Sequence, residues 1–318
     1  MKKGKKIIGI VIAVVIILVI MAAFGGGSSD GEKKEIVESV TEAASEKESR
    51  QEAETSMAEE SSKETENADS ADISIEEQVL LEWEGVTITA KGISDDMIYG
   101  KGLDLLIEND TERNIGVGCN ALIVNNYMIN DLFSTTVAAG KRANETVYMT
   151  TNQLAAAGIT NIGQIEIYFH FYDSDSYETL YDAECVTLQT SEYANMDTEP
   201  QDEGYEVYNQ DGIRIVGKYV DENSFWGTAV LLYIENTSGR NVGINCDNMS
   251  INGYMVTPFF SSTIYDGKKT VDDITILSSD LEENSIETVE DIEVNFHIYD
   301  ADSYSTIEDT GAISFSAR

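Results

Sequence analysis

The stretch that decides the fold is IEIYFHFYD at residues 165–173, and it returns as IEVNFHIYD at residues 292–300. In both stretches apolar residues alternate with polar or aromatic ones, so that Ile165, Ile167 and Phe169 lie on one face of an extended chain. A period of two indicates a β-strand with one buried face. Because the strand occurs twice, it also indicates a repeat.

The repeat extends well beyond this strand. Residues 103–188 align with residues 230–315 at a constant offset of 127 residues and without a gap. A repeat of this size suits a compact module with its own hydrophobic core. The chain therefore contains two copies of one module, which we call repeat 1 and repeat 2.

We place repeat 1 at 79–190 and repeat 2 at 206–318. The segment 191–205 between them contains Pro200, one of only two prolines in the chain, and breaks the alternating pattern. It is expected to act as a linker that lets the two repeats reorient.

Each repeat is expected to contain seven or eight short strands and one short helix, which is typical of a sandwich of two sheets. Asn125-Asn126 and Asn252-Gly253 lie between apolar runs and predict tight hairpin turns. In repeat 1 the helix is expected to be capped by Thr151 and to stop at Gly158. Further strands are predicted at 85–91, 102–109, 115–124, 127–137, 144–150 and 180–188.

The N-terminus has the pattern of a membrane anchor. Residues 1–6 carry four lysines and form a basic stub, and 7–24 is an apolar run without a charge. Eighteen apolar residues are enough to cross a bilayer as a helix, so an uncleaved signal anchor is favoured over a cleaved signal peptide. The lysines keep the N-terminus in the cytoplasm, so the remainder is expected outside the cell membrane.

Residues 25–78 are rich in Ser, Glu, Lys, Ala and Thr and contain almost no aromatic residues before the repeat begins. Such a segment buries too little apolar surface to offset its ordering entropy, so we predict a disordered acidic stalk. The net charge of the chain is −38. Nucleic acid and anionic lipid are therefore poor partners, because binding them requires clusters of Lys and Arg.

The chain has three cysteines, two in repeat 1 and one in repeat 2. Cys119 and Cys246 occupy the same place in separate repeats, while Cys185 matches Ala312. A disulfide between Cys119 and Cys185 is open to repeat 1 alone. Free thiols that pack as small apolar groups are the favoured interpretation.

Several motifs occur in both repeats: Ile-Glu-Asn, Asn-x-Tyr-Met, Gly-Lys and Ile-Glu-x-x-Phe-His-x-Tyr-Asp-x-Asp-Ser-Tyr. In this combination the chain resembles immunoglobulin-like domains of unknown function on membrane-anchored proteins and lipoproteins of clostridial Gram-positive bacteria. The resemblance covers both repeats and implies two tandem immunoglobulin-like β-sandwiches at a cell surface. It implies no catalytic chemistry. Unlike the lipoprotein members, this chain has no cysteine directly after its apolar run.

The two histidines of the chain, His170 and His297, occupy equivalent positions on the polar face of the quoted strand. A glutamate lies four residues earlier in each case, about 13 Å away along a strand, too far to share a metal unaided. A structural role on the strand surface, such as a hydrogen bond to a neighbouring Tyr, is favoured over metal binding. Tyr172 and Tyr299 follow on the same face.

Alternating aspartates follow the strand in both repeats: Asp173 and Asp175 in repeat 1, Asp300 and Asp302 in repeat 2. They could supply oxygen ligands for extracellular calcium. The pattern lacks the later glycine and the final glutamate of an EF-hand. A polar turn in which Asp and Ser accept hydrogen bonds from local amides is therefore the favoured interpretation.

Gly140-Lys141 and Gly267-Lys268 are cationic turns in an otherwise acidic module. They are candidates for holding an anionic wall polymer or the carboxylates of a partner, although most such turns are simply solvated. The aromatic pairs Tyr127-Met128 and Tyr254-Met255 are expected either at an interface or in the core. The candidate binding residues are Lys141, His170, Tyr172, Asp173 and Asp175, with Lys268, His297, Tyr299, Asp300 and Asp302.

These features favour a non-enzymatic binding or adhesion protein on a Gram-positive cell surface, anchored by a single membrane pass and directed at an unidentified protein or cell-wall ligand. We expect no cofactor, no metal site and no catalytic residues. The alternatives are a structural or regulatory component of the cell envelope and a carboxylate-based hydrolase. The exposure of the shared residues distinguishes folding from function. If all residues that are identical in the two repeats are buried, the repetition is explained by folding alone.

Overall fold

The computed structural model describes residues 73–130, 133–224 and 227–316. One compact unit extends from Ala71 to Arg318 and contains both repeats. The predicted basic stub (1–6), membrane anchor (7–24) and almost all of the stalk (25–78) lie outside the described residues. Within the described ranges, no helix has the length and apolar character needed to span a membrane.

The prediction of a mainly β protein is confirmed. The elements of repeat 1 are β1 (Gln78–Trp83), β2 (Val86–Asp96), β3 (Gly100–Asn109), β4 (Ile115–Val124), β5 (Tyr127–Ile129), β6 (Ser134–Val137), β7 (Lys141–Tyr148), α1 (Thr151–Ala156), β8 (Gln164–Asp173), β9 (Thr179–Asp182) and β10 (Val186–Gln189).

Repeat 2 has the same order of elements with one additional two-residue strand. Its elements are β11 (Tyr205–Gln210), β12 (Ile213–Ser224), β13 (Gly227–Asn236), β14 (Val242–Ile251), β15 (Tyr254–Val256), β16 (Pro258–Phe259), β17 (Ser261–Ile264), β18 (Lys269–Leu277), α2 (Ser278–Glu283), β19 (Asp291–Asp300), β20 (Thr306–Asp309) and β21 (Ile313–Ser316).

Each repeat places two sheets around a shared apolar core. In repeat 1, the sheet β1-β2-β3-β7 faces a sheet that contains β10-β8-β4-β5. Ile88 and Leu105 from the first sheet belong to the same buried cluster as Ile167 and Phe169 from the second. The apolar face predicted for the quoted strand is thus fully buried, and the alternation in its sequence corresponds to its two environments.

The predicted turns are confirmed at the backbone. Asn125 and Asn126 have φ angles of 47° and 73°, and Asn252 and Gly253 have φ angles of 51° and 84°. Asn and Gly tolerate this left-handed region better than other residues, which explains the hairpins β4–β5 and β14–β15. The helix α1 differs in one detail, because its N-cap residue is Thr150 and not Thr151.

The boundary between stalk and repeat 1 lies earlier than residue 78. Ile73 and Ile75 pack against the core of repeat 1. Ser191 also donates its backbone N–H to the carbonyl of Ser74. The sequence placed these residues in the stalk because two isolated apolar residues in a polar segment do not produce a recognisable strand period.

The shared Ile-Glu-Asn motif has a structural explanation. Asn109 is fully buried, and its side-chain amide donates to the carbonyl oxygens of Arg113 and Val137 at 2.9 and 2.8 Å. Its Oδ1 accepts from the backbone N–H and the hydroxyl of Thr111. Asn236 makes the corresponding contacts in repeat 2, so this asparagine fastens the loop after β3 or β13 to the end of β6 or β17.

Replacing either asparagine should destabilise the protein strongly. Asn109→Ala or Asn236→Ala leaves several buried backbone groups without partners, and we expect a loss of about 2–4 kcal/mol in the free energy of unfolding. Urea denaturation measures the loss. The exposed Asn209 on β11 provides the control, since Asn209→Ala should change stability by less than about 0.5 kcal/mol. Equal losses in all three variants would contradict the role of the buried amides.

The two repeats share a sheet, which corrects the expectation that the linker lets them reorient. Strand β5 of repeat 1 pairs in parallel with β18 of repeat 2, with Tyr127 opposite Lys269 and Met128 opposite Thr270. This pair joins β10-β8-β4-β5 to β18-β13-β12-β11 in a single eleven-stranded sheet. The backbone N–H of Lys269 donates to the carbonyl of Asn126 at 3.1 Å. Backbone pairing across the junction makes the tandem one body.

Side chains reinforce the junction. The Lys268 ammonium donates to both carboxylate oxygens of Glu166, at 2.9 and 2.8 Å, and both side chains are largely buried, with exposures of 17% and 8%. Tyr127 packs edge-to-face on Tyr233, and its exposure is only 1%. Tyr233 itself belongs to the core cluster of repeat 1, so the apolar core continues across the junction.

The linker also packs against the repeats. The backbone N–H of Gln201 donates to the Tyr127 hydroxyl at 3.1 Å. Asp202 accepts from the Arg214 guanidinium at 2.7 Å. Asp197 accepts from the backbone N–H groups of Thr160 and Asn161. The segment was predicted to be a flexible spacer, but its carboxylates and backbone hold it to both repeats.

Removing one partner of the junction ion pair should be costly. Glu166→Gln leaves the ammonium of Lys268 enclosed without its counter-charge, and we expect a loss of about 2–4 kcal/mol in the free energy of unfolding. Repeat 2 contains the matched control, because Glu293 is the equivalent residue on an exposed face. Glu293→Gln should change stability by less than about 0.5 kcal/mol. Equal effects of the two variants in thermal or urea unfolding would refute the structural role of the pair.

Candidate functional site

The two histidines are held by carboxylates from a neighbouring strand. His170 on β8 donates from Nδ1 to Asp182 on β9 at 2.6 Å, and His297 on β19 donates to Asp309 on β20 at 2.5 Å. The hydrogen bond from His170 is the main reason that the pKa of Asp182 lies below its usual value. A structural histidine with a hydrogen bond to a neighbouring Tyr was the favoured prediction, but the hydrogen-bond partner is an Asp in both repeats.

The tyrosines instead stack with the histidines. In repeat 1 the rings of His170 and Tyr172 have centroids 5.8 Å apart, and Tyr172 stacks in turn on Tyr177 at 6.1 Å. In repeat 2 the corresponding rings are His297, Tyr299 and Tyr304, with separations of 5.4 and 6.1 Å. We call these two sets of three rings the aromatic rows of repeat 1 and repeat 2.

A glycine on the adjacent strand makes room for the central ring of each row. A Cβ atom at Gly116 would lie 2.2 Å from ring carbons of Tyr172, and one at Gly243 would lie 2.1 Å from the Tyr299 ring. No side chain fits at that distance, so the tyrosine lies flat over the backbone of β4 or β14. The two strands share glycine at this position because the ring occupies the space of a side chain.

The turn after each strand presents the outer ring. Asp173 accepts hydrogen bonds through Oδ1 from the backbone N–H groups of Asp175 and Ser176, both at 3.0 Å, and Asp300 makes the equivalent contacts. Tyr177 and Tyr304 then adopt φ angles of 59° and 56°, in the left-handed region that tyrosine rarely occupies. Each is 79% exposed. Each of these tyrosines is therefore exposed to solvent in a strained backbone conformation.

The turns should weaken in acid. Hydrogen bonds from the turn amides, with that of Ser176 or Ser303 the largest cause, lower the pKa of Asp173 and of Asp300 below the usual value. A carboxyl whose pKa is lower in the folded state stabilises it above the unfolded pKa of about 3.9. That contribution is lost as the pH falls through the folded value.

We expect carboxyl NMR titrations of Asp173 and Asp300 to have midpoints below the value of about 3.9 that is usual for aspartate. In Asp173→Ala the ring resonances of Tyr177 should approach random-coil values, because the acceptor that shapes the turn is lost. Midpoints at or above about 3.9 would contradict the assigned hydrogen bonds.

The remaining candidates have different environments. Asp175 and Asp302 are exposed, and the polar turn that the sequence favoured over a calcium loop is the arrangement observed. Calcium binding was the less favoured interpretation of these aspartates, and nothing observed tests it. Lys141 is exposed, as expected of a solvated turn. Its counterpart Lys268 is not, because Glu166 of repeat 1 binds its ammonium, and this corrects its assignment to a ligand-binding turn.

Within residues 73–130, 133–224 and 227–316, one group of side chains could hold a metal ion. Ligand atoms of Asp247, His297 and Asp309 all lie within 4.8 Å of one another. The side-chain oxygen of Asn245, which lies opposite His297 in the strand register, is buried without a hydrogen-bond partner. This group was not predicted from the sequence, because its three residues lie on different strands and no spacing along the chain brings them together.

Repeat 1 has a different arrangement at this place. Asn120 replaces Asp247, and its amide donates to Asp182 at 2.7 Å. At this position repeat 1 has an amide that donates a hydrogen bond to Asp182, whereas repeat 2 has a second carboxylate beside Asp309.

The three cysteines are free thiols, so the structure contains no disulfide between Cys119 and Cys185. Cys246 is buried, and burial raises the pKa of its thiol to about 12. This agrees with the interpretation of cysteine as a small packing residue and makes Cys246 a poor nucleophile.

The shared residues are not all buried. Ile165, Phe169 and Asn109 and their counterparts belong to the core, but Tyr177 and Tyr304 are shared, exposed and held in a strained backbone. These two tyrosines are not among the candidates predicted from the sequence. The signal was the Ser-Tyr that ends the Asp-x-Asp segment in both repeats, which was interpreted only as part of a polar turn.

Comparisons with known proteins give no family assignment. No family model and no curated protein matches the chain. Among solved structures, the Salmonella enterica SafA pilin in complex with the SafB chaperone is 12% identical, with a TM-score of 0.23 over 74% of this chain and 98% of that chain. The YadV chaperone is 10% identical, with a TM-score of 0.23 over 74% of this chain and 99% of that chain.

A protein of unknown function from Porphyromonas gingivalis W83 is 10% identical, with a TM-score of 0.20 over 78% of this chain and 98% of that chain. Similarities with TM-scores this low carry no argument about function.

Proposed function

We propose that this chain is a non-enzymatic binding protein at the surface of a Gram-positive cell. Residues 7–24 anchor it in the membrane, and the two repeats are immunoglobulin-like modules that face outward. The aromatic rows are the contact surfaces, and the partner is a protein or a wall polymer.

The observation that carries this proposal is the exposure of Tyr177 and Tyr304. Both tyrosines are 79% exposed, and both occupy a backbone conformation that costs free energy. Core packing gives no reason to keep an aromatic ring at such a position. Tyrosine is among the residues most enriched at binding hot spots, because its rigid ring contributes contact area at a small loss of conformational entropy.

The neighbouring groups suit a binding surface. The hydroxyl of Tyr172 contacts that of Ser134 at 3.0 Å, and the carboxylates of Asp182 and Asp309 remain more than half exposed. Each row thus combines flat apolar rings with exposed hydrogen-bond acceptors. The histidines are tied to carboxylates on a strand face, so we propose no catalytic role for them.

The duplication supports the same proposal. Two rows on one body allow one chain to engage a repetitive partner twice, and the second contact then profits from a high effective concentration. The junction between the repeats reduces the entropy that would be lost if two flexible modules had to be ordered on binding.

Binding to cells and walls tests the proposal. The compact unit 71–318 should bind to cells that carry this protein or to their purified walls, and Tyr177→Ala with Tyr304→Ala should weaken binding by at least about tenfold, as expected for hot-spot residues. Tyr219→Ala is the matched control, because Tyr219 is also an exposed tyrosine but lies on β12, outside both rows. Equilibrium pull-down with labelled protein measures the affinities.

Protease treatment of the walls separates the two classes of partner. Loss of binding after treatment indicates a protein partner, and retained binding indicates a wall polymer. Equal binding by the double variant and the wild type would exclude the aromatic rows as the contact surface. That result would favour the alternative of a structural or regulatory envelope component.

A further inference from the structure

The junction between the repeats uses different surfaces on its two sides. Repeat 1 contributes β5 and Glu166, while repeat 2 contributes β18 and Lys268. The contact is therefore head-to-tail. Because both repeats have the same architecture, each of them carries both kinds of surface. The junction inside the chain uses one surface of each repeat and leaves the other one unused.

The unused halves are one surface of repeat 2 and one surface of repeat 1. In repeat 2 the strand that corresponds to β5 is β15, and in repeat 1 the strand that corresponds to β18 is β7. Among the described residues, β15 pairs only with β14 and β7 pairs only with β3. Each therefore leaves one edge with unpaired backbone N–H and C=O groups, which is a template for pairing with another strand.

The side chains at the unused halves are equivalent but exposed. Tyr127 is 1% exposed in the junction, whereas its counterpart Tyr254 is 52% exposed and is followed by Met255 at 65%. Glu293, the counterpart of Glu166, and Lys141, the counterpart of Lys268, are also exposed. Exposed tyrosine and methionine beside a free strand edge mark an interaction surface.

The surface around Glu293 is concave. An open cleft of about 340 Å³ is lined by Gly253, Ile292, Glu293 and Phe315 among others. Glu293 in this cleft is the counterpart of Glu166, which binds the Lys268 side chain in repeat 1. The cleft is therefore in the position where repeat 2 would bind a lysine.

We propose that these two surfaces bind each other between separate copies of this chain. Strand β15 of one chain pairs in parallel with β7 of the next, with Tyr254 opposite Arg142 and Met255 opposite Ala143. Lys141 of the second chain binds Glu293 of the first. The intermolecular contact repeats the junction that each chain already contains. It goes beyond the proposed ligand binding, because it involves neither aromatic row.

The intermolecular contact is weaker than the junction. Asn126, whose amide donates to the carbonyl of Gly267, is replaced by Gly253 in repeat 2. Thr270, whose hydroxyl donates to Met128, corresponds to Ala143 in repeat 1. The tyrosine and the two residues of the ion pair are kept. These polar contacts are lost, and so is the ring contact of Tyr127 with Tyr233, because the counterpart of Tyr233 is Leu106. Association is thus reversible and is favoured where chains are concentrated on one surface.

The geometry also predicts the form of the assembly. A head-to-tail contact leaves a free surface at each end of the complex, so a dimer does not close and further chains add in line. Sedimentation of 71–318 with increasing concentration, at about 0.15 M salt to screen the acidic surface, should show an average mass that rises beyond that of a dimer.

Cross-linking tests the contact at residue level in the full chain. In membranes that contain a mixture of ¹⁴N- and ¹⁵N-labelled chains, a zero-length carbodiimide reagent should join Glu293 to Lys141 in mixed-isotope peptides. The link between Glu166 and Lys268 should form within single chains and serves as the internal positive control.

A charge exchange decides whether the ion pair is specific. Lys141→Glu should lower the association constant at least tenfold, and the combination of Lys141→Glu with Glu293→Lys should restore it. Lys91→Glu, at an exposed lysine on β2, controls for the change in net charge and should have less than a threefold effect. Thermal unfolding confirms that the variants are folded.

Three outcomes would overturn the proposal. These are a protein that remains monomeric at every accessible concentration, a mass that stops at a closed dimer, and a double variant that associates no better than Lys141→Glu alone. A wild-type protein that self-associates but binds neither cells nor walls would refute the proposed function and leave this inference intact.

Discussion

The parallel pairing of Tyr127-Met128 with Lys269-Thr270 determines how the two repeats are arranged. A sandwich has edge strands, and an edge strand leaves a row of backbone groups unpaired. Repeat 2 covers one such edge of repeat 1, and the Glu166–Lys268 pair and the Tyr127–Tyr233 contact add side-chain contacts to the backbone pairing there. A two-module chain thereby becomes a single body in which both aromatic rows are held by one framework.

The same constraint explains why equivalent residues have different roles. Lys141 and Lys268 share a motif, but only Lys268 faces another repeat and finds a carboxylate. Tyr127 and Tyr254 occupy the same position in corresponding hairpins, but only Tyr127 is buried. Position in the tandem, and not residue type, decides which copy is structural and which is available for an interaction.

The aromatic rows show the opposite relation, because both repeats keep them in the same state. Gly116 and Gly243 leave space for the central ring, and the aspartate turn sets the outer tyrosine in solvent. Neither feature contributes to the apolar core. The exposed aromatic residues, which the two copies hold by the same local contacts, are the basis of the proposed binding role, whereas the shared asparagines Asn109 and Asn236 are explained by folding.

The sequence by itself determined the duplicated β architecture, the buried face of the quoted strand and the hairpin turns at Asn125-Asn126 and Asn252-Gly253. These properties depend on local periodicity and on the backbone preferences of single residues, and both can be recognised along the chain. Only the tertiary structure decided that Lys268 binds Glu166, that Asp247, His297 and Asp309 converge and that β5 pairs with β18. Those contacts join residues far apart in sequence, and their geometry arises from strand register and from the packing of one repeat on the other, for which a single sequence has no periodic signal.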